Sequence, residues 1–456
     1  MKPISANQLF AGVGLTEAIP VTDVVTDSRK VTPGCVFVCF PGERVDGHNY
    51  AAGAFATGAA FIVANHPVEG VPAERTVLVR DSAHAMVRMA GNYRMLFDLP
   101  VIGLTGSVGK TTTKEFTAAV LAAFGETLKT EGNHNNEIGV PMTLFGLEDR
   151  HRYAVIEMGM DHAGEIDRLT RCVRPAAGII TNIGVSHLEN LGSRENILKA
   201  KLELCNGMGQ GAPLALNGDD ALLCGASLPG RLRPVWYAVQ NPDADVRAVH
   251  IAPAPQGGTD FTLTDKAHGD FAVHIPTVGV HTVYDALAAY TAATRLGLDA
   301  ARAAAALANY QVSGMRQNVV KRGAYTIIED CYNASPDSMR AALSVLQSMP
   351  GRHVALLADM LELGSVSEAA HAELGVQAAQ AGVELLVTYG ERAAATAQAA
   401  AAQGVTTVHC KTQRDVVDCL VRQLCPGDAL LVKGSNGMRL AEVLHTFYAE
   451  QNLEEG

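Results

Sequence analysis

The chain of 456 residues is long enough for about three domains, because globular domains commonly have roughly 150 residues each. It carries 36 basic and 47 acidic residues and a formal net charge of −11, which argues against nucleic acid as the main partner. The nine cysteines form no Cys-x-x-Cys pair, residues 1–19 lack the pattern of a signal peptide, and no apolar run reaches the ~18 residues of a membrane span. We therefore expect a soluble protein of the reducing cytoplasm, without membrane insertion.

Residues 1–98 are predicted to form a small N-terminal α/β domain, with short β-like runs at 35–40 and 61–64. The segment Thr26-Asp-Ser-Arg29 places an acid, a hydroxyl and an arginine together at a predicted strand end. Such a cluster is either a solvated turn or a contact for phosphate and sugar. In the second case the candidate substrate-binding residues of this domain are Ser28, Arg29, Asp46 and His48.

The second predicted domain, residues 99–313, begins with an apolar strand, a glycine-rich loop and a run of helix formers. This order is typical of a phosphate-binding loop. Backbone N–H groups and the helix start would bind phosphates, Lys110 would add a positive charge, and Thr111 would offer a hydroxyl to Mg²⁺. The strict pattern wants glycine where Leu104 stands, but a purely structural turn would not explain the lysine and threonine at the helix start. The predicted nucleotide-binding residues are Gly106, Ser107, Val108, Gly109, Lys110, Thr111 and Thr112.

A polar loop, Gly132-Asn-His-Asn-Asn-Glu-Ile-Gly139, follows the first helix of this domain. Its amide side chains donate and accept hydrogen bonds without net charge, as surfaces that bind sugars and peptide backbones do. Ordinary turn formation is the alternative, but it does not require so many amides in succession. We predict that Asn133, Asn135 and Asn136 bind substrate.

Two later runs, 155–159 and 178–183, have the apolar pattern of parallel strands that end in polar residues. Because ligands bind at the carboxyl edge of such sheets, Glu157, Asn182 and His187 are expected to face Lys110. A buried acid without a partner is unfavourable, so Glu157 is expected beside a cation. For His187, a structural role is the alternative.

The remaining predicted elements of the second domain are a helix at 193–208, a small sheet within 236–278, and helices at 282–297 and 299–307.

Residues 314–456 form the third predicted domain, in which strand-like and helix-like segments alternate. Repeated βαβ steps of this length indicate an open parallel sheet with helices on both faces, a Rossmann-like arrangement. The predicted strands are 325–330, 353–357, 385–389 and 429–433, and the predicted helices are 335–346, 367–381 and 391–403.

Ordered segments from Asp27 to Arg439 resemble the Mur ligases, and so many motifs in one order make chance an implausible explanation. In that family the leading glycine of the phosphate loop stands at Gly103, which accounts for Leu104. The segments that carry the resemblance are Gly103-Leu-Thr-Gly-Ser-Val-Gly-Lys-Thr111, 132–139, Ile156-Glu-Met-Gly159, Gly164-Glu-Ile166, Ser186-His-Leu-Glu189, Gly314-Met-Arg-Gln317, Asp330-Cys-Tyr-Asn-Ala-Ser-Pro336, Asp359-Met-Leu-Glu-Leu-Gly364 and Lys433-Gly-Ser435.

The resemblance implies an α/β fold of three domains, a small N-terminal one, a central P-loop ATPase-type parallel sheet and a C-terminal Rossmann-like domain. It also implies roles for individual residues. Lys110 would bind the β- and γ-phosphates, and two Mg²⁺ ions would be held by Thr111, Glu157, His187 and Lys201, the last carbamylated by CO₂. The neighbouring Lys199 would be solvated. Further implied contacts are Arg316 with phosphates, Asp330 with ribose, His281 and Asp285 with adenine, and Asn333 and Ser335 with substrate.

One departure concerns the adenine contacts, since the family usually has asparagines where this chain has Thr282 and Asp285. The segments 132–139, 332–338 and 359–364 resemble most the branch of the family that uses D-alanyl-D-alanine as the incoming amine. The implied substrates are then ATP, UDP-N-acetylmuramoyl tripeptide and D-alanyl-D-alanine, joined through an acyl phosphate in peptidoglycan precursor synthesis. The N-terminal domain would bind the UDP-sugar peptide, and the C-terminal domain would bind the dipeptide and close over ATP.

Several alternatives stay open at this point. A sister ligase could add a diamino acid, and a folylpolyglutamate synthase-type ligase could add glutamate. From a different class, a nucleotide-dependent switch protein would use the same phosphate loop. The residues do not distinguish lysine from diaminopimelate in the tripeptide, and they do not identify the base that deprotonates the amine. We expect a monomer.

Overall fold

The computed structural model describes residues 1–12, 15, 17–42 and 45–453. Within these ranges the strands form four sheets, and the three larger sheets belong to separate stretches of the sequence. The predicted α/β class with parallel sheets is confirmed. Among the described helices, none is long and apolar enough to cross a membrane. The limits after residues 98 and 313 remain our proposal for the domain boundaries.

In its described residues, the first stretch has six strands and three α-helices. The strands are β1 (Ile4–Ser5), β2 (Pro20–Val21), β3 (Val24–Val25), β4 (Val36–Val38), β5 (Phe61–Ala64) and β6 (Thr76–Leu78), and the helices are α1 (Ala6–Leu9), α2 (Ala51–Thr57) and α3 (Ser82–Arg94). Strands β1 and β2 pair antiparallel, whereas β3 to β6 form a parallel sheet in that order. Apolar strands of this kind are buried on both faces, as the all-buried pattern of β4 and β5 shows.

The end of α3 joins the first stretch to the second. The Tyr93 hydroxyl donates to the Leu147 carbonyl at 2.7 Å. The buried Arg94 guanidinium donates to the carbonyls of Phe97, Leu99 and Val173. A buried guanidinium needs such partners, so Arg94 fixes the connecting segment against the next sheet.

The second stretch contains nine strands and eight helices. The strands are β7 (Val101–Thr105), β8 (Thr127–Lys129), β9 (Tyr153–Glu157), β10 (Ala177–Ile180), β11 (Pro213–Asn217), β12 (Arg233–Ala238), β13 (Val246–Pro253), β14 (Thr259–Asp265) and β15 (Gly269–Ile275). The helices are α4 (Lys110–Ala122), α5 (Gly139–Phe145), α6 (Glu165–Val173), α7 (Leu188–Leu191), α8 (Arg194–Leu202), α9 (Ala221–Cys224), α10 (Val280–Arg295) and α11 (Ala300–Ala306).

These strands form one nine-stranded sheet in the order β15-β14-β13-β12-β11-β10-β7-β9-β8. The small sheet predicted within 236–278 is not a sheet of its own, because β13 pairs with β12 in parallel through Tyr237 and Val246 and so continues the central sheet. The predicted helix at 193–208 was too long, since the α-helix ends at Leu202 and a 3₁₀ turn, Glu203–Gly207, follows. At the end of this turn, a side chain at Gly207 would collide with the Thr170 carbonyl.

As far as residue 453, where the described part of the chain ends, the third stretch has six strands and five α-helices. The strands are β16 (Asn318–Arg322), β17 (Tyr325–Asp330), β18 (His353–Ala358), β19 (Leu385–Tyr389), β20 (Thr406–Cys410) and β21 (Ala429–Lys433), and the helices are α12 (Pro336–Gln347), α13 (Ser367–Gln380), α14 (Ala393–Ala402), α15 (Gln413–Gln423) and α16 (Leu440–Gln451). The sheet order is β16-β17-β21-β18-β19-β20, parallel except for β16. The sequence-based expectation did not include β16, β20, α15 and α16.

The second and third stretches pack against each other directly. Val185 and Val278 of the second stretch lie against the apolar core beneath α12 and α13. The side-chain amide of Gln317 donates to the Val278 carbonyl at 2.5 Å, and His281 is hydrogen-bonded to the same side chain. These contacts bring the carboxyl edges of the two large parallel sheets toward one cavity.

Candidate active site

The loop between β7 and α4 admits only glycine at two positions. A Cβ atom at Gly106 would lie 1.8 Å from Thr181 Oγ1, and one at Gly109 would lie 2.5 Å from Asp285 Oδ1. Gly109 also has φ +83°, a left-handed conformation that favours glycine. The buried Leu104 belongs to the core of the sheet, so its side chain does not disturb the loop.

Residues after β10 hold this loop in place from one side. The Asn182 side chain accepts from Val108 N at 3.0 Å and donates to the Val108 carbonyl at 2.9 Å, and Ser107 N donates to the Asn182 carbonyl. Gly184 N donates to Ser107 Oγ at 2.8 Å. The Asn182 amide is therefore engaged with the loop backbone, while the remaining N–H groups at the start of α4 stay available to an anion.

Two lysines converge on the loop. Lys110 Nζ and Lys201 Nζ both donate to the Gly106 carbonyl, at 3.0 and 2.9 Å. Burial lowers the pKa of Lys110, and burial together with the charge of Lys110 lowers the pKa of Lys201 far below its usual range. Lys201 is only 2% exposed and lies behind the loop, whereas Lys110 lines the cavity. This arrangement disfavours the charged form of the Lys201 amine.

Glu157 and Thr111 form a pair of oxygen donors at the carboxyl edge of the central sheet. Thr111 Oγ1 donates to Glu157 Oε2 at 2.9 Å, and Asn135 Nδ2 donates to Glu157 Oε1 at 2.7 Å. The Glu157 carboxylate is 1% exposed. Hard oxygen ligands of this kind suit Mg²⁺, which commonly takes one or two carboxylates and completes its shell with phosphate oxygens and water. The described residues contain no cluster of three or more acidic, histidine or cysteine ligands, so a protein cage is not formed.

His187 lines the same cavity as Lys110, with its backbone at φ +63°. Its buried Nδ1 has no hydrogen-bond partner among the described residues, although it lies 3.2 Å from Asp161 Oδ1 and 3.4 Å from Glu362 Oε2. Burial, reinforced by the charges of Lys110 and Lys201, lowers the pKa of His187 to about 4. A neutral imidazole with an unpaired nitrogen next to acidic oxygens is suited to a cation.

The helix α10 contributes the predicted adenine contacts. Asp285 lies beneath the phosphate loop, where Thr113 Oγ1 donates to it at 2.7 Å, and burial raises its pKa well above the usual range. Burial lowers the pKa of His281, and the imidazole is hydrogen-bonded to Gln317. Both side chains line the cavity. Their contacts with adenine stay a prediction.

The third stretch covers the cavity from the opposite side. The Arg316 guanidinium lies 3.6 Å from the centre of the Tyr332 ring, a cation–π contact that keeps the side chain over the cavity. Lys433 Nζ donates to Asp330 Oδ2 at 2.7 Å and to the Asn333 carbonyl at 3.0 Å. The predicted residue Ser335 caps α12 through a capping box with Ser338, so its hydroxyl is already engaged.

The cavity between these surfaces has a volume of about 490 Å³. Most of the predicted nucleotide, metal and substrate residues of the second and third stretches line it, namely Ser107, Val108, Gly109, Lys110, Thr111, Thr112, Asn133, Asn135, Asn136, Glu157, His187, His281, Asp285, Arg316, Asp330, Asn333 and Ser335. Gly106 belongs to the loop but does not line the cavity, and Lys201 lies behind the loop.

The candidates of the N-terminal domain do not line this cavity. Arg29 is exposed and paired with Asp27, whose pKa its hydrogen bonds lower to about 2. His48 is hydrogen-bonded to Asp46 at 2.6 Å and stacks on His66 with ring centres 4.3 Å apart. A substrate that reaches both places would have to extend from one domain to the other.

Sequence reasoning missed several residues that line the cavity. Asn217, Tyr237 and Tyr284 come from a strand, a second strand and a helix that lie far apart in the sequence. Tyr332 and Asp337 follow β17, and their position after a parallel strand was a usable signal. The others had no local motif that could identify them.

Three models of Mur ligase domains match the chain in order. They are described as the Mur ligase family, catalytic domain (residues 20–94), the Mur ligase middle domain (104–293) and the Mur ligase, glutamate ligase domain (315–436). The chain is 36% identical over 434 residues to the UDP-N-acetylmuramoyl-tripeptide--D-alanyl-D-alanine ligase of Bacillus subtilis, covering 94% of this chain and 93% of the relative. It is 38% identical over 385 residues to the ligase of the same name from Escherichia coli, covering 84% of each.

Solved structures are similar over nearly the whole chain. A crystal structure of MurF from Acinetobacter baumannii superposes with a TM-score of 0.89 at 30% identity, covering 98% of this chain and 99% of that one. The MurF ligase of Thermotoga maritima in complex with ADP superposes with a TM-score of 0.84 at 26% identity, covering 95% and 98%.

Proposed function

The chain belongs to the Mur ligase family, and we propose that it is the ATP-dependent ligase that joins D-alanyl-D-alanine to UDP-N-acetylmuramoyl tripeptide in peptidoglycan precursor synthesis. The observation that carries the proposal is the shared cavity of the two parallel sheets. It places Lys110 and Glu157 of one domain opposite Arg316 and Asp330 of another. Relatives with this activity match the chain almost from end to end.

The reaction begins with positioning and neutralisation of charge. The peptide carboxylate attacks the γ-phosphorus of ATP, the bond to ADP breaks, and an acyl phosphate forms. Phosphoryl transfer of this type needs little covalent chemistry from the protein. Lys110, the loop N–H groups and Arg316 would neutralise the phosphate charges and hold the reacting atoms in line.

The second step forms the amide bond. The amino group of the dipeptide attacks the acyl carbon and gives up one proton to the surroundings, and phosphate leaves from the tetrahedral intermediate as the carbonyl re-forms. Water would destroy the acyl phosphate, so the cavity has to exclude it during the reaction. The packing of Val185 and Val278 against the third domain supports a closed arrangement in which the C-terminal domain covers the nucleotide.

The oxygen donors Thr111 and Glu157 fit one Mg²⁺, and the unpaired His187 nitrogen fits a second. Bound there, the ions would neutralise the negative charge that develops on the phosphates. Burial and the proximity of Lys110 lower the pKa of Lys201 and so favour the uncharged form of its amine. It can therefore add to CO₂ with loss of one proton, which gives a carbamate with metal-binding oxygens.

The UDP-sugar end of the first substrate is assigned to the N-terminal domain, at Ser28, Arg29, Asp46 and His48. The asparagines 133, 135 and 136 would then contact the peptide near its reacting carboxylate.

All nine cysteines lie in the described ranges and are free thiols, which supports the proposed cytoplasmic location. The monomeric state remains a prediction.

The test is a phosphate-release assay of the full chain with ATP and UDP-N-acetylmuramoyl tripeptide, with and without D-alanyl-D-alanine. We expect phosphate and a pentapeptide product, detected by mass, only when the dipeptide is present. Tripeptides with lysine and with diaminopimelate at the third position are compared in parallel. Product with a diamino acid or glutamate as the amine would support a sister ligase instead, and slow hydrolysis of nucleotide without any acceptor would support a switch protein.

A further inference from the structure

Lys114 is a fully buried lysine on α4 that the proposed reaction does not use. Its side chain is 0% exposed. Its Nζ donates to the Gly132 carbonyl at 3.2 Å and pairs with Glu115 Oε1 at 3.1 Å. The other oxygen of this acid, Glu115 Oε2, pairs with Lys129 at 2.6 Å. Lys114 therefore connects the helix that follows the phosphate loop with the first residue of the polar loop 132–139.

Stability alone does not account for a charged side chain at this position. Removal of charges from water is costly, and replacing a buried ion pair with apolar residues often leaves the free energy of unfolding unchanged or raises it. Lys114 and Glu115 are also consecutive on α4, and consecutive side chains on a helix do not face each other. The Gly132 carbonyl is a partner outside α4, and an apolar side chain at position 114 could not donate a hydrogen bond to it.

The polar loop begins at the surface, in contrast to the lysine that contacts it. Gly132, Asn133 and His134 are exposed. The backbone that follows is fixed by hydrogen bonds, since Asn135 N donates to the Asn133 carbonyl at 2.7 Å and Gly159 N donates to the Asn135 carbonyl at 2.8 Å. The position of the Gly132 carbonyl therefore helps to set the positions of the asparagines that come after it.

The loop is connected to α4 a second time, through Glu157. Asn135 Nδ2 donates to Glu157 Oε1 at 2.7 Å, and Thr111 Oγ1 donates to Glu157 Oε2 at 2.9 Å. Thr111 and Lys114 are three residues apart on α4, so they lie on the same face of the helix. The start of α4 thus holds the polar loop at two points, the Gly132 carbonyl and the Asn135 side chain.

We infer that Lys114 is a positioning residue, which fixes the polar loop 132–139 relative to the phosphate loop so that the peptide carboxylate meets the γ-phosphate. The inference rests on the proposed function, in which asparagines 133, 135 and 136 contact the peptide. Lys114 does not line the cavity, so it acts through the loop. The separation of the two loops matters, because misplacement of reacting groups by about 1 Å can slow a reaction roughly 100-fold.

Calorimetry of the full chain without Mg²⁺ tests the inference. ADP is titrated first, and UDP-N-acetylmuramoyl tripeptide is then titrated into the ADP-saturated protein. Lys114→Met keeps the length of the side chain and removes the donor. We expect the affinity for the tripeptide to fall by about tenfold, the effect of one lost hydrogen bond from a charged donor, while the affinity for ADP stays that of the wild type. A general disturbance of α4 would lower both affinities, because the same helix begins at the nucleotide site.

Two further variants separate the hydrogen bond to the loop from the ion pair. The double variant Lys114→Met with Glu115→Gln leaves no buried acid without its lysine, and it should show the same selective loss of tripeptide affinity. Lys129→Met removes the other partner of Glu115 and leaves the hydrogen bond to Gly132 in place, so it should bind both ligands as the wild type does. Urea unfolding shows whether each variant is folded.

Unchanged tripeptide affinity in a folded Lys114→Met protein would overturn the inference. Equal losses of affinity for ADP and the tripeptide would do the same, and so would the failure of both variants that lack Lys114 to fold. Wild-type protein that binds the tripeptide but forms no pentapeptide with D-alanyl-D-alanine would overturn the proposed function alone. Wild-type protein that does not bind the tripeptide would overturn both.

Discussion

Lys110 and Lys201 donate to one backbone oxygen, the carbonyl of Gly106, at 3.0 and 2.9 Å. Two ammonium groups this close repel each other, most of all where little water screens them. The pKa of Lys201, the more deeply buried of the two, is lowered far below its usual range by burial and by the charge of Lys110. The phosphate loop thus has one lysine that lines the cavity and a second one behind it whose pKa is strongly lowered.

The first prediction concerns Lys201→Ala. This substitution should abolish product formation, because it removes the amine that forms the carbamate, and formate or acetate should restore part of the activity by supplying a carboxylate. Phosphate release measured with increasing acid concentration checks the result. Lys199→Ala, an exposed neighbour on α8, is the control and should keep full activity. Full activity of Lys201→Ala without any additive would refute the carbamate.

The second prediction concerns Asn135→Ala. Asn135 Nδ2 orients the Glu157 carboxylate at 2.7 Å, and its loss should weaken the metal site by roughly 10–100-fold, as is common for residues that orient a ligand. Titration of activity with Mg²⁺ should show a higher requirement, whereas Glu157→Gln should be inactive at any concentration. The exposed Glu131→Gln, next to the same loop, serves as the control. An unchanged Mg²⁺ requirement in Asn135→Ala would contradict the role given to this side chain.

The predictable parts of the site are local in sequence or follow from the rules of parallel sheets. Lys110 and Thr111 were identified by their loop, and Glu157 and His187 by their position after strands. The ion pair of Lys433 and Asp330 could not be predicted from sequence patterns. The two residues are 103 positions apart, and only the pairing of adjacent strands brings them together. The small sheet predicted within 236–278 was wrong for the same reason. Alternation of apolar and polar residues indicates a strand, but it does not show which strand lies next to it in the sheet.

The third prediction concerns Gly106→Ala. The new Cβ would lie 1.8 Å from Thr181 Oγ1, so the loop or β10 must move, at a cost of roughly 1–3 kcal/mol in the free energy of unfolding. Nucleotide binding, measured by calorimetry, should be lost because the loop N–H groups no longer converge. Gly53→Ala, where a Cβ meets nothing within 4 Å, is the matched control and should not lower the stability measured by urea unfolding. Normal nucleotide binding by Gly106→Ala would show that the loop tolerates a side chain.

Asp285 has an unusual environment for an acid. It is 6% exposed, accepts one hydrogen bond from Thr113, and lies beneath a loop that binds anions. Burial raises its pKa well above the usual range, so the folded protein holds a proton there that the unfolded chain has already lost. Between the two pKa values the unfolded state binds fewer protons, and the free energy of unfolding therefore decreases as the pH rises.

The fourth prediction follows for Asp285→Asn. The amide keeps the oxygen that accepts from Thr113 but carries no charge at any pH, so the loss of stability with rising pH should disappear. Thermal unfolding from pH 5 to pH 8 should show a steeper decrease in Tm for the wild type than for the variant. The variant should be the more stable protein at pH 8, where an unfolded aspartate is fully ionised. Equal slopes for the two proteins would mean that Asp285 is ionised in the fold, and a cation must then lie near it.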